Sequence, residues 1–222
     1  MNLTVTTPPP FEPVTLLEVY KHLRLDPDHD GSPGEESHPD DAMLTRHIAT
    51  ARAHVEQMTR RSLVQQTVRL SLATFPVSVD SWLAMRWKMN VVREIRLHRP
   101  PLIRVDSVRY YDGDNVLQTL DAAGYYTTDD QVPELRFVSS FSAPTLYDRP
   151  DAVRVDYVTG YTPSGSPSAT QEDYTGNVPQ WAKDAVLIGV QLIYDDLAPA
   201  DADKLERLRE ALVQPYRVQL TP

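Results

Sequence analysis

Apolar residues recur at helical spacing in two segments near the start of the chain. In PVTLLEVYKHLRL, Thr15 and Glu18 have the spacing of a capping box and apolar residues then follow on one face. This pattern predicts a short helix of up to three turns. In DDAMLTRHIATARAHVEQMTRR a long helix with one buried stripe is predicted, because the apolar positions are three or four residues apart: Leu44, Ile48, Ala51, Val55 and Met58.

From Leu63 the apolar period changes from helical to alternating, which is typical of a half-buried strand. Short extended runs continue to Tyr161, so residues 63–161 predict a β-rich unit of five or six strands. One side of the first strand carries Val64, Gln66, Val68, Leu70 and Leu72. The YYDGDN stretch that follows Arg109 predicts a hairpin turn, because Asp112 and Gly113 tolerate a positive φ.

Two further helices are predicted after the β-rich unit. Residues 161–177 have the Ser, Thr, Pro and Gly bias of an exposed loop. In VPQWAKDAVLIGVQLIYDD, residues 185–194 are apolar on nearly every side, so this helix should pack on more than one face. The last segment, ADADKLERLREALVQPYRVQLTP, places Leu205, Leu208 and Leu212 on one stripe and ends near Pro215 in an extended tail.

The order of these elements predicts an α+β fold. A small antiparallel core of about four helices is expected, with a β-rich insertion between the second and third helices. Residues 1–62 would form an N-terminal arm and the first two helices, and residues 63–161 the insertion. Residues 162–222 would form a loop, the last two helices and an extended C-terminal tail.

Composition and charge narrow the classes of function. The chain has 222 residues, of which 41% are hydrophobic, enough for a core. Neither a membrane span nor a signal peptide is predicted, so a soluble protein made inside the cell is expected. The absence of cysteine excludes disulfides, thiolate metal sites and cysteine nucleophiles. A net charge of -9 argues against nucleic-acid binding over the whole surface, although residues 86–109 hold seven basic residues against two acidic ones.

The stretch DPDHDGSPGEES begins like an EF-hand calcium loop, with aspartates at 26, 28 and 30 before Gly31. Its twelfth position is Ser37, where the motif requires a bidentate glutamate. Weak ion binding that involves Glu35 and Glu36 stays open. The interpretation we favour is an acidic linker between two helices, since residues 26–41 contain seven carboxylates and no Lys or Arg.

No hydrolase, zincin, P-loop or dinucleotide-binding motif occurs in the sequence. His47 and His54 share a helix face but lack plausible further metal ligands, so we interpret them as solvated positions. Asp195 and Asp196 are adjacent, and adjacent helical residues point about 100° apart. We therefore interpret that pair as an exposed helix end, not as an acid and base couple.

Two tryptophans interleave with basic residues in one segment. Trp82 and Trp87 lie beside Arg86, Lys88 and Arg93, a combination that can stack on bases and hold phosphates. A hydrophobic loop anchored by the two tryptophans is the interpretation we favour over contact with nucleic acid.

The order of these segments resembles that of a known family. It is similar to the head-tail connector proteins of long-tailed bacteriophages and related gene transfer agents, over nearly the whole chain. Two departures are a linker at residues 26–40 that is longer than usual and an extra tryptophan-containing loop at residues 81–90. The matching segments are PVTLLEVYKHLRLD, DDAMLTRHIATARAHVEQMTRRSLVQQTVRLSLATFP, HRPPLIRVDSVRYYDGDN, AVRVDYVTGYT, VPQWAKDAVLIGVQLIYDD and LREALVQPYRV.

The resemblance implies a structural protein with no enzymatic activity, cofactor or metal. It implies a homo-oligomeric ring, usually of twelve copies, beneath the portal protein at the capsid vertex. The ring would extend the DNA channel and receive the next neck or tail protein. DNA would be only passing cargo, no membrane would be bound, and the protein would be made in the host cytoplasm and reside in the virion neck.

We hypothesise that the last helix and the tail dock on the portal, with the β-rich insertion facing outward or tailward. A channel that does not grip DNA should be lined by acidic or neutral residues, which leaves the basic segment for protein contacts. The residues expected to bind the portal or a neighbouring subunit are Leu208, Leu212, Pro215, Tyr216, Arg217, Val218, Trp82 and Trp87.

Two other functions compete with the adaptor. A carbohydrate-binding or hydrolytic accessory domain of a virion would use Tyr110, Tyr111, Trp82 and a carboxylate pair, and it would need a concave aromatic cleft and a stable monomer. A nucleic-acid-binding module is favoured only by the local basic segment.

Overall fold

The computed structural model of the protein describes residues 1–26, 28–29, 36–76, 94–128, 130–162 and 177–219. The chain divides into two compact units. The sheet unit comprises Met1–Pro8 and Gln66–Gly160, and the helical unit comprises Pro9–Gln65 and Tyr161–Pro222. Each unit therefore contains segments that are distant in sequence.

The described residues form four α-helices and two main antiparallel sheets, which confirms the predicted α+β class. No helix within these residues is long and apolar enough to span a membrane. In chain order the elements are β1 (Asn2–Thr7), α1 (Leu16–Leu23), β2 (Asp28–His29), β3 (Glu36–Ser37), α2 (Asp41–Thr59), β4 (Gln66–Leu72), β5 (Glu94–Arg96), β6 (Leu102–Tyr111), β7 (Leu117–Thr119), β8 (Tyr125–Thr127), β9 (Glu134–Phe137), β10 (Val153–Thr159), α3 (Gln180–Tyr194) and α4 (Pro199–Val213).

Helix α1 begins where its sequence predicts. Thr15 is its N-cap: the Thr15 hydroxyl accepts from the N–H of Glu18 at 3.1 Å, and a Glu18 carboxylate oxygen accepts from the N–H of Thr15 at 2.8 Å. This reciprocal pair satisfies two N–H groups that have no partner inside the helix. The predicted capping box is thus present.

Helix α2 buries the stripe that its sequence predicts. Leu44, Ile48, Ala51 and Val55 are all buried, and Met58 packs against the same core. The core of the helical unit also contains apolar residues of α1 and α3. Packing against elements from both ends of the chain stabilises a helix that would be marginal alone.

Helix α3 packs closely against α2 at Gly189. A Cβ atom at Gly189 would lie 2.9 Å from the Cβ of Ala51 and 3.3 Å from a guanidinium nitrogen of Arg209 in α4. The absence of a side chain therefore lets these three helices approach one another. The buried residues of α3 are Ala182, Ala185, Val186, Ile188, Gly189 and Val190.

The buried face of α4 differs from the predicted leucine stripe. Arg209 and Val213 are its buried residues, whereas Leu208 is 50% exposed. Arg209 can occupy the interior because its aliphatic stem packs and its guanidinium donates to Glu206 at 2.6 Å. Leu205, Leu208 and Leu212, which the sequence places on one stripe, are thus not among the buried residues of α4.

The sheet unit contains a five-stranded sheet in the order β1-β4-β10-β6-β7 and a three-stranded sheet in the order β5-β9-β8. Residues from both sheets form one hydrophobic core, as expected for sheets packed face to face. Phe75 lies in it among aromatic neighbours, with Phe137 and Phe141 both 5.5 Å away between ring centroids. Seven strands occur among the described residues of 63–161, where five or six were predicted.

Strand β4 has the predicted alternation but begins at Gln66 instead of Leu63. Gln66, Val68 and Leu70 are buried on one side, as predicted. Leu63 belongs to the core of the helical unit, and its N–H donates to the buried carboxylate of Glu56 at 2.8 Å. This bond occupies the Leu63 N–H, which is therefore not available to a β-ladder.

The hairpin between β6 and β7 occurs where predicted, but its left-handed residue is Asn115, with φ 62°. Asp112 shapes the turn with its carboxylate, which accepts from the N–H groups of Asp114 at 3.1 Å and Val116 at 2.9 Å. This is the local bonding that makes Asp frequent in turns.

The N-terminal residues form a strand and not a free arm. β1 pairs antiparallel with β4 from Asn2 to Thr7, with a register shift between Val5 and Thr7. Met1–Pro8 thus belongs to the sheet unit, and the chain enters the helical unit at Pro9.

Candidate assembly interface

The segment after α4 is fixed onto the helical unit by three contacts. Tyr216 stacks on Trp181, with ring centroids 4.2 Å apart and planes 6° from parallel. The Nε of Arg61 donates to the carbonyl of Tyr216 at 2.6 Å, and the N–H of Val218 donates to the carbonyl of Thr59 at 2.9 Å. Val218 is itself buried. The described part of the tail is therefore an ordered extension of α4.

Most of the predicted partner-binding residues lie on the surface of α4 and of this extension. Leu208 is 50% exposed, Tyr216 is 41% exposed and Leu212 is half-buried, while Pro215 and Arg217 are exposed. Leu208, Leu212 and Pro215 follow one another at helical spacing. We call these five residues the C-terminal surface. An apolar group of this kind, on a rigid support, is suited to contact another protein.

A cavity of about 440 Å³ lies beside the C-terminal surface. Two apolar residues, two residues of opposite charge and one amide line it: Met58, Val213, Glu210, Arg217 and Gln214. This mixture of apolar and opposite-charge groups is suited to receive a protein side chain.

Arg209 connects this region to the core. It is only 4% exposed and pairs with Glu206, and its Nε has no hydrogen-bond partner among the described residues. The sequence analysis did not single out this residue. Its position in the leucine spacing gave no signal of burial, since an arginine is rarely buried unless paired.

Trp82 and Trp87, the two tryptophans that are expected to bind the portal or a neighbouring subunit, lie in residues 77–93, outside the described residues. The described arginines of the basic segment mostly have carboxylate partners. Arg96 lies 3.9 Å from Glu134, and Arg104 lies 2.7 Å from Asp106. These pairs reduce the positive field that the segment would present to DNA.

Sequence reasoning missed a charge cluster on the five-stranded sheet. Asp156 of β10 is only 8% exposed and accepts hydrogen bonds from Arg69 at 2.6 Å and from Arg109. Burial alone would raise the pKa of Asp156, but these two bonds outweigh it and the pKa is lowered. The signal available in the sequence was a lone Asp within the apolar run AVRVDYV.

A second cluster surrounds Tyr111 at the end of β6. The guanidinium carbons of Arg149 and Arg154 lie 3.6 and 4.9 Å from the centroid of the Tyr111 ring. Asp151 accepts from both arginines, at 2.6 Å from Arg149 and 2.5 Å from Arg154, and these bonds lower its pKa to about 2. The cluster fixes the chain before β10 on the sheet.

The residues proposed for sugar binding are not brought onto one platform. Tyr110 packs against the core of the sheet unit, 5.9 Å from Phe75 in an edge-on arrangement, whereas the adjacent Tyr111 contacts the two arginines on the other face. Alternating strand residues point to opposite faces. Trp82 lies outside the described residues.

The other candidate chemistry is dispersed. His54 is exposed and His47 half-buried, and the described residues contain no group of His, Cys, Asp and Glu that could hold a metal ion. Asp195 accepts from the Gln191 amide at 3.1 Å, while Asp196 is exposed. Residues 27 and 30–35 of the acidic linker lie outside the described residues.

Comparison with known proteins gave matches among solved structures only. No protein-family model matches the sequence, and no curated protein does. A chain in the neck of an empty gene transfer agent particle, computed with C6 symmetry, matches with a TM-score of 0.69 and 19% identity, over 100% of this chain and 98% of that one. The chain shares this fold with a gene transfer agent neck.

Chains in two further solved structures have the same fold. A chain of the virion of a native gene transfer agent particle matches with a TM-score of 0.68 and 20% identity, and one from the neck of a native particle, computed with C12 symmetry, with 0.66 and 18%. Both matches cover 100% of this chain and 98% of the other. The similarity of fold therefore extends over both units.

Proposed function

We propose that the protein is a head-tail connector in the neck of a phage or gene transfer agent particle. The observation that carries this proposal is the match to neck chains over 100% of this chain, with TM-scores up to 0.69. Its role is structural and not catalytic. It forms a homo-oligomeric ring under the portal protein, extends the DNA channel and joins the portal to the next neck or tail protein.

The ring contains twelve copies in this proposal. The similar necks were computed with C6 and with C12 symmetry, and a ring of twelve is compatible with both. Closed rings arise from one head-to-tail contact that repeats around an axis. Contacts that are weak singly become strong when many form at once on a shared partner.

The C-terminal surface is the proposed contact with the portal or a neighbouring subunit, together with Trp82 and Trp87. Leu208 and Tyr216 supply exposed apolar area. The buried Val218 holds the segment in place through the hydrogen bond from its N–H to the Thr59 carbonyl. Ordering before binding reduces the entropic cost of association. The net charge of -9 favours a channel that lets DNA pass without gripping it.

Light scattering of the purified protein, alone and mixed with the portal protein of the same particle, tests the proposal. The expected result is a stoichiometric complex that contains several copies of the chain. A monomer that does not bind the portal would contradict the connector function. It would favour the carbohydrate-binding alternative, which a screen of sugar ligands would then test.

A substitution tests the C-terminal surface more cleanly than a truncation. Removal of residues after Gln214 would also remove the Tyr216 stack and the Val218 anchor, so the loss of binding would have two explanations. Leu208→Ser leaves both in place and is expected to weaken portal binding about tenfold or more. Tyr126→Ser is the control, since Tyr126 is 53% exposed on the sheet unit; equal binding by both variants would exclude this surface.

A DNA-binding measurement tests the channel. The isolated protein is expected to bind duplex DNA weakly at physiological salt. Salt-dependent binding that disappears when Arg93, Arg96 and Arg99 become Ala would contradict the proposal that the basic segment serves protein contacts.

A further inference from the structure

The five-stranded sheet has two open edges. β1 pairs only with β4, and β7 only with β6, among the strands of the described residues. The outer side of each edge strand carries backbone N–H and C=O groups that no other described strand pairs with. Such an edge is a template for pairing with another chain.

Neither edge carries the charges that usually prevent such pairing. β1 has the sequence NLTVTT and β7 the sequence LQT, so both lack charged residues and proline. The one irregularity is the register shift between Val5 and Thr7. Apolar side chains are exposed at both edges: Val5 is 40% exposed, Val116 52% and Leu117 38%. Uncharged apolar edges of this kind need a cover.

The directions of the strands indicate which kind of strand can pair with these edges. Each neighbouring pair in the order β1-β4-β10-β6-β7 is antiparallel, so β1 and β7 run in the same direction. A second copy related by a small rotation therefore presents its β1 to β7 as a parallel strand. This is a head-to-tail contact that leaves one free edge on each side and repeats until the ring closes.

We propose that neighbouring copies of this chain join edge to edge, with β1 of one copy pairing with β7 of the next to continue the sheet around the ring. The occupant of each edge is thus a second copy. The contact is short, because β7 has only three residues, and it becomes stable through repetition in the assembly. This inference rests on the proposed ring function and assigns the subunit contact within it.

The chain contains no cysteine, so two introduced thiols are the only ones that it carries. The test uses Val5→Cys with Leu117→Cys, a short bismaleimide cross-linker and the full chain mixed with the portal protein. Within one chain β1 and β7 are four strand spacings apart, about 19 Å, which a short linker does not bridge. The expected result is a ladder of covalent dimers, trimers and larger multimers in denaturing electrophoresis.

Val5→Cys with Tyr126→Cys is the matched control, since Tyr126 is exposed on β8, an edge of the other sheet. It is expected to give no ladder. Val5→Cys alone should give no covalent product. A covalent dimer from this single variant would indicate two-fold pairing of β1 with β1 and would overturn the inference.

A second variant measures the same contact without cross-linking. Val5→Lys places a charge on the edge and is expected to reduce the fraction of assembled protein, whereas Tyr126→Lys should leave it unchanged. Assembly of the Val5→Lys variant at the level of the unmodified chain would count against edge pairing.

The outcomes separate this inference from the proposed function. A complex with the portal that assembles fully but gives no ladder overturns edge pairing and leaves the connector function intact. A ladder of cross-linked multimers from protein that does not bind the portal supports edge pairing and contradicts the connector function. Protein that forms no ladder and no oligomer would contradict both proposals.

Discussion

Tyr216 and Trp181 stack with their ring centroids 4.2 Å apart and their planes 6° from parallel. Trp181 lies in the first turn of α3 and Tyr216 follows α4, so the stack joins the start of one helix to the end of the next. Both rings belong to the helical unit. The stack thereby supports the segment that carries the C-terminal surface.

Tyr216→Ala should lower the free energy of unfolding of the helical unit by about 1–2 kcal/mol, since it removes the stacked ring. Tyr216→Phe keeps the ring and should stay within about 0.5 kcal/mol of the original chain. Urea unfolding followed by tryptophan fluorescence measures both. If the two variants unfolded at the same urea concentration, the stack would not contribute.

Gly189→Ala should destabilise the helical unit although alanine is the better helix former by about 1 kcal/mol. The new Cβ would lie 2.9 Å from the Cβ of Ala51, which is too close without a shift of α2 or α3. We expect a net loss of about 1–2 kcal/mol from this overpacking.

Gly113→Ala is the control for that substitution. A Cβ at Gly113 would meet only the Cγ2 of Thr145 at 3.7 Å, an ordinary contact, so thermal unfolding should change by less than about 0.5 kcal/mol. Equal melting temperatures for the two variants would show that α2 and α3 are not held this closely.

Asp156→Asn should lower the stability of the sheet unit by about 1–3 kcal/mol. The substitution takes the carboxylate from two partly buried arginines, Arg69 and Arg109, and leaves their donors poorly compensated. Asp106→Asn breaks an exposed pair with Arg104 and should cost less than about 1 kcal/mol. Chemical unfolding monitored by circular dichroism tests the difference, and a larger loss in Asp106→Asn would contradict it.

Acid should weaken the sheet unit through Asp151. Hydrogen bonds from Arg149 and Arg154 lower the pKa of Asp151 from 3.8 to about 2. Because the folded pKa lies below the ordinary value, the stabilisation is complete above about pH 4 and is lost as the pH falls toward 2. The melting temperature of the original chain should therefore exceed that of Asp151→Asn at pH 6, and the difference should shrink as the pH falls from 4 to 2.

Asp148→Asn is the control for the acid measurement, since Asp148 is exposed and the described contacts give it no ion pair. Its melting temperature should follow that of the original chain across the pH range. A difference between the original chain and Asp151→Asn that stayed constant from pH 6 to pH 2 would contradict the role of this carboxylate.

Local patterns predicted several elements because their causes are local. The capping box at Thr15 and Glu18 depends on spacing within one turn, and the stripe from Leu44 to Val55 follows from the helical repeat. The alternation of Gln66, Val68 and Leu70 depends likewise on the two-residue period of a strand.

Other features depended on residues that are distant in the sequence. In α4, Arg209 is buried with its guanidinium beside Gly189 of α3, whereas the adjacent Leu208 is 50% exposed. The last turn of the chain is ordered by Trp181 and Thr59, which no pattern around Val218 reveals.

The sequence by itself determined the α+β class, the positions of the helices and the buried sides of α2 and β4, since these follow from propensity and periodicity. Only the tertiary structure decided that Asn2–Thr7 completes a sheet and that Asp156 joins two arginines across strands. The first depends on the pairing of β1 with β4, two segments that are about 60 residues apart. The second depends on β4, β6 and β10 lying side by side in one sheet. Such contacts are set by the whole packed core and not by any local repeat.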